Sequence, residues 1–226
     1  MGRLATRLAL LPRAAVNSLR RRRRPAQIER ILIAHNLLLG DTLMLTALIA
    51  RCRARWPQAE IVMTVAPAVQ ALYAARPYGV QVLPFDPHRA STARKIGESG
   101  PYDLALVPGD NRHTVLAHAA GARWIVALDD KRLRAGNLMA DEFVAWPTTP
   151  MALADIFASL AGDADDMSDV VYDATQWPSP PAAPFDLPRT PYSVLHAGAG
   201  SPLRHWPVER WMQLAERLAE IGRAHV

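Results

Sequence analysis

The feature that most restricts this chain is a repeated alternation of short apolar runs with helical patterns. "RILIAH" (30–35), "EIVMTVA" (60–66), "VQVLPF" (80–85), "DLALVPG" (103–109) and "WIVALD" (124–129) are aliphatic or β-branched runs of strand length. Helical patterns separate them, over 41–55, 67–76, 88–98 and 111–121. Strands that are apolar on both sides and joined by helices specify a parallel sheet covered on both faces, an α/β fold of the doubly wound kind. A further helix is expected over 151–161, opened by Pro150 and closed by Gly162.

The composition then changes. "WPSPPAAPFDLPRTP" (177–191) carries six prolines in fifteen residues and reads as a stiff extended linker. After it the pattern restarts with a strand, "YSVLHAG" (192–198), a short loop and a helix from Pro207. The expected organisation is a basic N-terminal segment (1–27), a first α/β domain (28–176), the linker, and the beginning of a second α/β domain (192–226). The terminal "EIGRAHV" departs from the helical pattern of "VERWMQLAERLAE". Residues 221–226 are therefore expected to be foreign to the gene, and the second domain to be cut short.

The net charge of +5 is unevenly distributed. Residues 1–24 hold eight arginines and no acid, which leaves 18 basic and 21 acidic residues elsewhere. A mildly acidic body argues against a nucleic-acid partner, which needs its basic patch on the folded surface. The segment 1–24 is too short and too charged to span a bilayer, and no secretory cleavage site follows it. Its readings stand open: an interfacial basic helix that meets an anionic membrane surface, or else a disordered basic tail or a misassigned start codon. The single Cys52 makes no internal disulfide and joins no zinc-spaced cluster, which fits a cytoplasmic setting.

Two stretches carry candidate chemistry. "HNLLLGDTLMLTAL" (35–48) is an apolar run broken only by Gly40-Asp41. Ligands of open parallel sheets bind outside the carboxyl ends of the strands, which is where Asp41 is expected. Its carboxylate either caps the following helix, with Gly40 permitting a tight turn, or is held ionised there for a ligand. In "HAGAGSPLRHWPVERW" (196–211) the small residues Gly198, Ala199, Gly200 and Ser201 follow a strand and precede a helix. Backbone N–H groups in such a loop approach phosphates closely, and Arg204 adds a planar charge. Neither a P-loop nor a G-x-G-x-x-G fingerprint is present, which disfavours a nicotinamide-type site.

Together "LLLGDTLMLTAL", "RWPQAEIVMTVAP" and "LHAGAGSPLRHWPVERWMQLAERL" resemble the pattern of glycosyltransferase family 9, the family of the ADP-heptose:lipopolysaccharide heptosyltransferases. The resemblance includes "GDNRHTVLAHAAGAR" (109–123) and starts at residue 28. It implies a GT-B fold, with an acceptor-side Rossmann-like domain followed by the start of a second, nucleotide-sugar-binding one. It implies an inverting transfer of heptose from ADP-heptose to a lipid-linked acidic inner-core acceptor, with Asp41 as general base. Gly40, Asn36, Arg112 and His113 are then the acceptor-side residues, although Arg112 and His113 read equally well as part of a solvated loop with a helix cap, and His35 reads better as a hydrogen-bonded structural histidine. Gly198, Ala199, Gly200, Ser201 and Arg204 would hold the donor phosphates. Arg204 stands where many relatives carry lysine, so charge is kept but contact geometry changes. The scheme needs no metal and no cofactor, and it places the protein in the cytoplasm, peripheral on the inner membrane face. The alternatives are a different nucleotide-sugar and glycan, or an inactive fragment that acts at most as an acceptor-binding module.

Overall fold

The computed structural model describes residues 2–19, 23–129, 139–162, 173–177, 188–199 and 201–224. The chain divides into two compact units, Met1–Pro180 and Pro181–Val226.

The first unit is built on a six-stranded sheet of β1 (Arg30–Ile33), β2 (Glu60–Val65), β3 (Gln81–Pro84), β4 (Leu104–Val107), β5 (Trp124–Asp129) and β6 (Glu142–Ala145). Every neighbouring pair is parallel and the order is β3-β2-β1-β4-β5-β6. Alternate residues of each central strand serve opposite cores, which is why these runs are apolar throughout. Ile31, Ile33, Ile61, Met63 and Leu106 point to one face and pack with α3 (Thr46–Arg55) and α6 (Leu153–Ala158). Leu32, Val62, Ala105, Val107 and Ile125 point to the other and pack with α4 (Ala90–Ser99) and α5 (Thr114–Ala119). Cys52 lies fully buried in the first core, where burial pushes its thiol up to about 12.

Four departures from the sequence reading have physical causes. β6 was not expected, because it is an edge strand that alternates half-buried and exposed residues over only four positions. The helix expected over 67–76 is instead a 3₁₀ turn, Pro67–Tyr73, and the chain then bends through left-handed Arg76 (φ 51°) and Tyr78 (φ 52°) around Pro77. A residue preceding proline is disfavoured in the right-handed helical region, so Arg76 cannot extend the turn. The pattern over 41–55 divides at Leu45 into α2 (Leu39–Met44) and α3. The fourth departure is at the N-terminus, where α1 (Gly2–Ser18) folds back across α4 and α5. Its Thr6, Leu10 and Ala14 are buried, and Asn17 Nδ2 donates to the His118 carbonyl at 2.8 Å. Pro12 inside α1 removes one helical hydrogen bond and costs about 3 kcal/mol, so the helix owes its stability to this docking. Among the described residues no helix is long and apolar enough to cross a membrane.

In the second unit the strand expected over 192–198 does not form. Residues 191–199 are exposed and carry no regular structure. A strand exists only where neighbours satisfy its N–H and C=O groups, and no other strand occurs among the described residues of this unit. A turn, Pro202–Arg204, leads to α7 (Val208–Ala224), whose start is fastened by an edge-to-face pair of Trp206 and Trp211, 5.2 Å between centroids. The helix continues beyond Glu220, through the point where its pattern was expected to break.

Candidate active site at the sheet switch point

The strand order reverses direction between β1 and β4, the switch point outside which open parallel sheets bind their ligands. The first-unit candidates fall on these two segments: residues 35–41 after β1 and 109–113 after β4. The two segments touch where a Cβ on Gly109 would lie 3.0 Å from Leu37 Cδ2.

The exit from β1 is held by a threonine that the sequence reading did not single out. His35 N–H donates to Thr64 Oγ1 at 2.8 Å, and the Thr64 hydroxyl donates back to the His35 carbonyl at 2.6 Å. A β2 side chain thus replaces the sheet ladder and lets the chain turn away. The Leu37 N–H then donates to His35 Nδ1 at 3.1 Å. A second fully buried threonine, Thr42, donates from Oγ1 to the Leu38 carbonyl at 2.8 Å, and Tyr73 OH donates to the Thr42 carbonyl at 3.1 Å. The signal for both was a hydroxyl inside an otherwise apolar run.

Asp41 stands in the first turn of α2, next to this anchored residue. It does not cap the helix: the N-cap is Leu38, in extended conformation and without a side-chain hydrogen bond. The side chain is half-buried, and its carboxylate makes no hydrogen bond or ion pair among the described residues. Gly40 is not required by a tight turn either, because it lies within α2 and a Cβ added there would meet nothing within 4 Å. Gly40 is exposed and leaves its side of the helix open.

On the β4 side, Asp110 ends the strand exit and caps the turn Asn111–His113, accepting from Arg112 N–H at 2.9 Å. Arg112 Nε also donates to Asp110 Oδ2 at 2.6 Å, with Nη2 in contact with the same oxygen. Burial pushes the Asp110 carboxyl up, but the hydrogen bonds and charge of Arg112 outweigh it and leave it below the usual range. Arg112, expected either to meet an acidic acceptor or to lie in a capped loop, is thus partly neutralised by the residue that caps the turn. His113 Nδ1 lies 2.8 Å from the Asp110 carbonyl, and its ring meets Phe85 edge-on at 6.0 Å. The Asn36 Oδ1 is buried without a partner among the described residues.

His35 is fully buried, and burial, reinforced by the charge of nearby His113, pushes it from 6.5 down to about 3. Burial holds His113 below its ordinary value as well. His35 therefore stays neutral in the folded protein while the unfolded chain takes up a proton there below about 6.5. Stability should be constant above that pH and decline as pH falls from 6.5 towards 3, by about 1.4 kcal/mol per pH unit for His35 alone. Urea unfolding across this interval checks the sign, and an unfolding midpoint that is flat from neutral pH to below 6 contradicts it.

In the second unit Gly198 and Ala199 lie in the exposed extended stretch, Ser201 is half-exposed, Arg204 is exposed, and Gly200 is outside the described residues. His205 Nε2 lies 2.9 Å from the Ala199 carbonyl and closes the stretch into a loop ahead of α7.

No protein-family model matches the chain, and no curated protein matches it. Solved structures do. A glycosyl transferase family 9 protein from Veillonella parvula superposes with a TM-score of 0.59 at 15% identity, over 88% of this chain and 62% of that one. The fold is that of a family 9 glycosyltransferase structure. Escherichia coli heptosyltransferase WaaC, solved with ADP, gives 0.59 at 17% identity over 85% of this chain and 65% of its own. E. coli ADP-heptose lps heptosyltransferase II gives 0.57 at 20% identity over 86% and 62%. The chain thus spans less than two thirds of the length of these structures.

Proposed function

We propose that this chain belongs to glycosyltransferase family 9 and that its first unit is the acceptor-binding half of an inverting transferase, with Asp41 as general base. The observation that carries the reading is the half-buried Asp41 carboxylate, unpaired among the described residues, on the segment that leaves β1 at the sheet switch point. In the reaction the acceptor hydroxyl gives its proton to Asp41 while its oxygen forms a bond to the anomeric carbon. The bond from that carbon to the nucleotide diphosphate breaks, and ADP leaves with the electron pair. A carboxylate is a weak base, so its contribution lies in position and in stabilising positive charge on the sugar. Gly198, Ala199, Gly200, Ser201 and Arg204 are assigned to the diphosphate, and Asn36, Gly40, Arg112 and His113 to the acceptor. The donor is ADP-heptose, after the ligands of WaaC, which was also solved with ADP-2-deoxy-2-fluoro heptose. The acceptor is a lipid-linked acidic inner-core glycan at the cytoplasmic membrane face.

Incubation with ADP-heptose and a deacylated inner-core glycan should release ADP and give a glycoside of inverted anomeric configuration, read by proton NMR. Retained configuration contradicts the proposal. Gly40→Ala gives a sharper test of where the acceptor lies. The added methyl meets no protein atom and removes a helix-interior glycine, so stability should hold or rise by up to about 1 kcal/mol. KM for the acceptor should nevertheless rise, because the methyl occupies open surface on the turn that carries Asp41. An unchanged KM would place the acceptor elsewhere.

A second reading is that the 226-residue chain binds acceptor without turning over donor. The lack of any strand over 192–198 favours it, since a donor loop needs a sheet to hold it. Calorimetric binding of the glycan with no binding of ADP would support this reading over catalysis by the chain alone.

A further inference from the structure

α1 is apolar on two opposite sides, and only one of them is used. Thr6, Leu10 and Ala14 turn towards α4 and α5. On the other side Ala5, Leu8, Pro12, Ala15 and Leu19 recur at spacings of three and four, and all are exposed. Leu11 and Val16 flank this row; Leu8 is 59% exposed, Leu11 49%, Val16 60% and Leu19 87%. No charged residue falls in the row. Arg13 lies on the inward flank, its Nη1 3.5 Å from where a Cβ on Gly97 of α4 would sit. A helix docked on a domain ordinarily turns a polar face to water, so a continuous apolar outer row marks an interaction surface.

The chain itself indicates the occupant. Directly after the helix the sequence runs Arg20-Arg21-Arg22-Arg23-Arg24, whereas the remainder of the protein beyond residue 24 is net acidic. An apolar strip continued by five cations complements a surface that is apolar beneath and anionic above, as a phospholipid bilayer is. A protein partner or a second copy accounts for the leucines but not for the run of arginines. We propose that the outer face of α1 docks on anionic lipid, with Leu8, Leu11 and Leu19 at the headgroup–acyl boundary, and that the positive charge of the sequence that follows draws it to lipid phosphates, Arg24 apart because it pairs with Glu142 at 3.2 Å. Because α1 is fixed to α4 and α5, this contact holds the first unit in one orientation on the membrane. The inference is independent of the transferase reading, since lipid binding is measured without donor or acceptor.

The test is co-sedimentation of the full chain with phosphatidylcholine vesicles, with and without about one third phosphatidylglycerol. Binding should require the anionic lipid, weaken with salt, and fall at least about tenfold in either of two variants. One is Leu8→Gln/Leu11→Gln/Leu19→Gln, which alters only exposed side chains, and the other replaces Arg20 to Arg23 with glutamine and keeps Arg24, the partner of Glu142. Thermal melts confirm that each variant is folded. Absence of binding to anionic vesicles overturns the proposal, as does undiminished binding by the leucine variant. A lipid-free dimer that the leucine variant disperses would assign the face to a second copy and overturn it too.

Discussion

Asp41→Asn is expected to lower turnover of ADP-heptose by about 10²- to 10⁴-fold, with little change in KM for the donor. Asparagine keeps the shape and polarity of the side chain but cannot take the acceptor proton. The fold should survive, because the carboxylate makes no hydrogen bond or ion pair among the described residues. The most it contributes to stability is its interaction with the start of α2, about 0.3–1 kcal/mol, or a shift of at most about 2–4 °C in the melting midpoint. Loss of activity together with a large drop in that midpoint would make Asp41 a structural residue. Full activity in a folded variant would remove it from the mechanism.

The largest stability effect outside the hydrophobic cores is expected at Thr64→Val. Valine fills the same volume, so no cavity opens, yet the change orphans both the N–H and the carbonyl of His35 in a fully buried setting. Leaving a buried polar group without a partner costs about 1–3 kcal/mol, so the pair amounts to about 2–6 kcal/mol. Chemical denaturation measures it. Because Thr64 sets the path by which the chain leaves β1 towards Asp41, activity should fall in the variant even at temperatures where it remains folded. A loss below about 1 kcal/mol would mean that His35 finds other partners.

What could be read from the sequence, and what could not, follows from where information about burial resides. The central strands were legible because a strand covered on both faces has no polar alternation to confuse it, and Ile31 to Ile33 and Leu104 to Val107 are fully buried. β6 escaped because Phe143 and Ala145 face outwards, so its hydrophobicity says little about its place at the sheet edge. The strand over 192–198 was over-read for the opposite reason: β propensity in "YSVLHAG" is real, but pairing is a property of neighbours that local sequence does not contain. α1 was obscured by arginines spaced among its leucines, and its buried side is made of a threonine, a leucine and an alanine rather than a conspicuous apolar stripe.

The candidate site divides in the same way. Gly40-Asp41 was visible as the only break in an apolar run at the end of a strand. The cap reading of Asp41 was reasonable from residue types, but the N-cap lies three positions earlier, at Leu38, where no polar side chain is available. The partnership of Arg112 with Asp110 was not visible, because residues two apart in sequence meet only when the chain turns as sharply as it does over Asn111–His113. Thr64 and Thr42 were hidden by being single hydroxyls among aliphatics, and their importance lies wholly in which backbone groups they satisfy.

The most direct measurement is a titration of the isotope-labelled chain with the deacylated acidic inner-core glycan, followed by amide chemical shifts. The account predicts that Gly40 and Asp41 shift together with residues 109–113, saturably, and that Asp41→Asn alters turnover far more than this binding. Shifts confined to other surfaces, with the β1 and β4 exits unmoved, would contradict it.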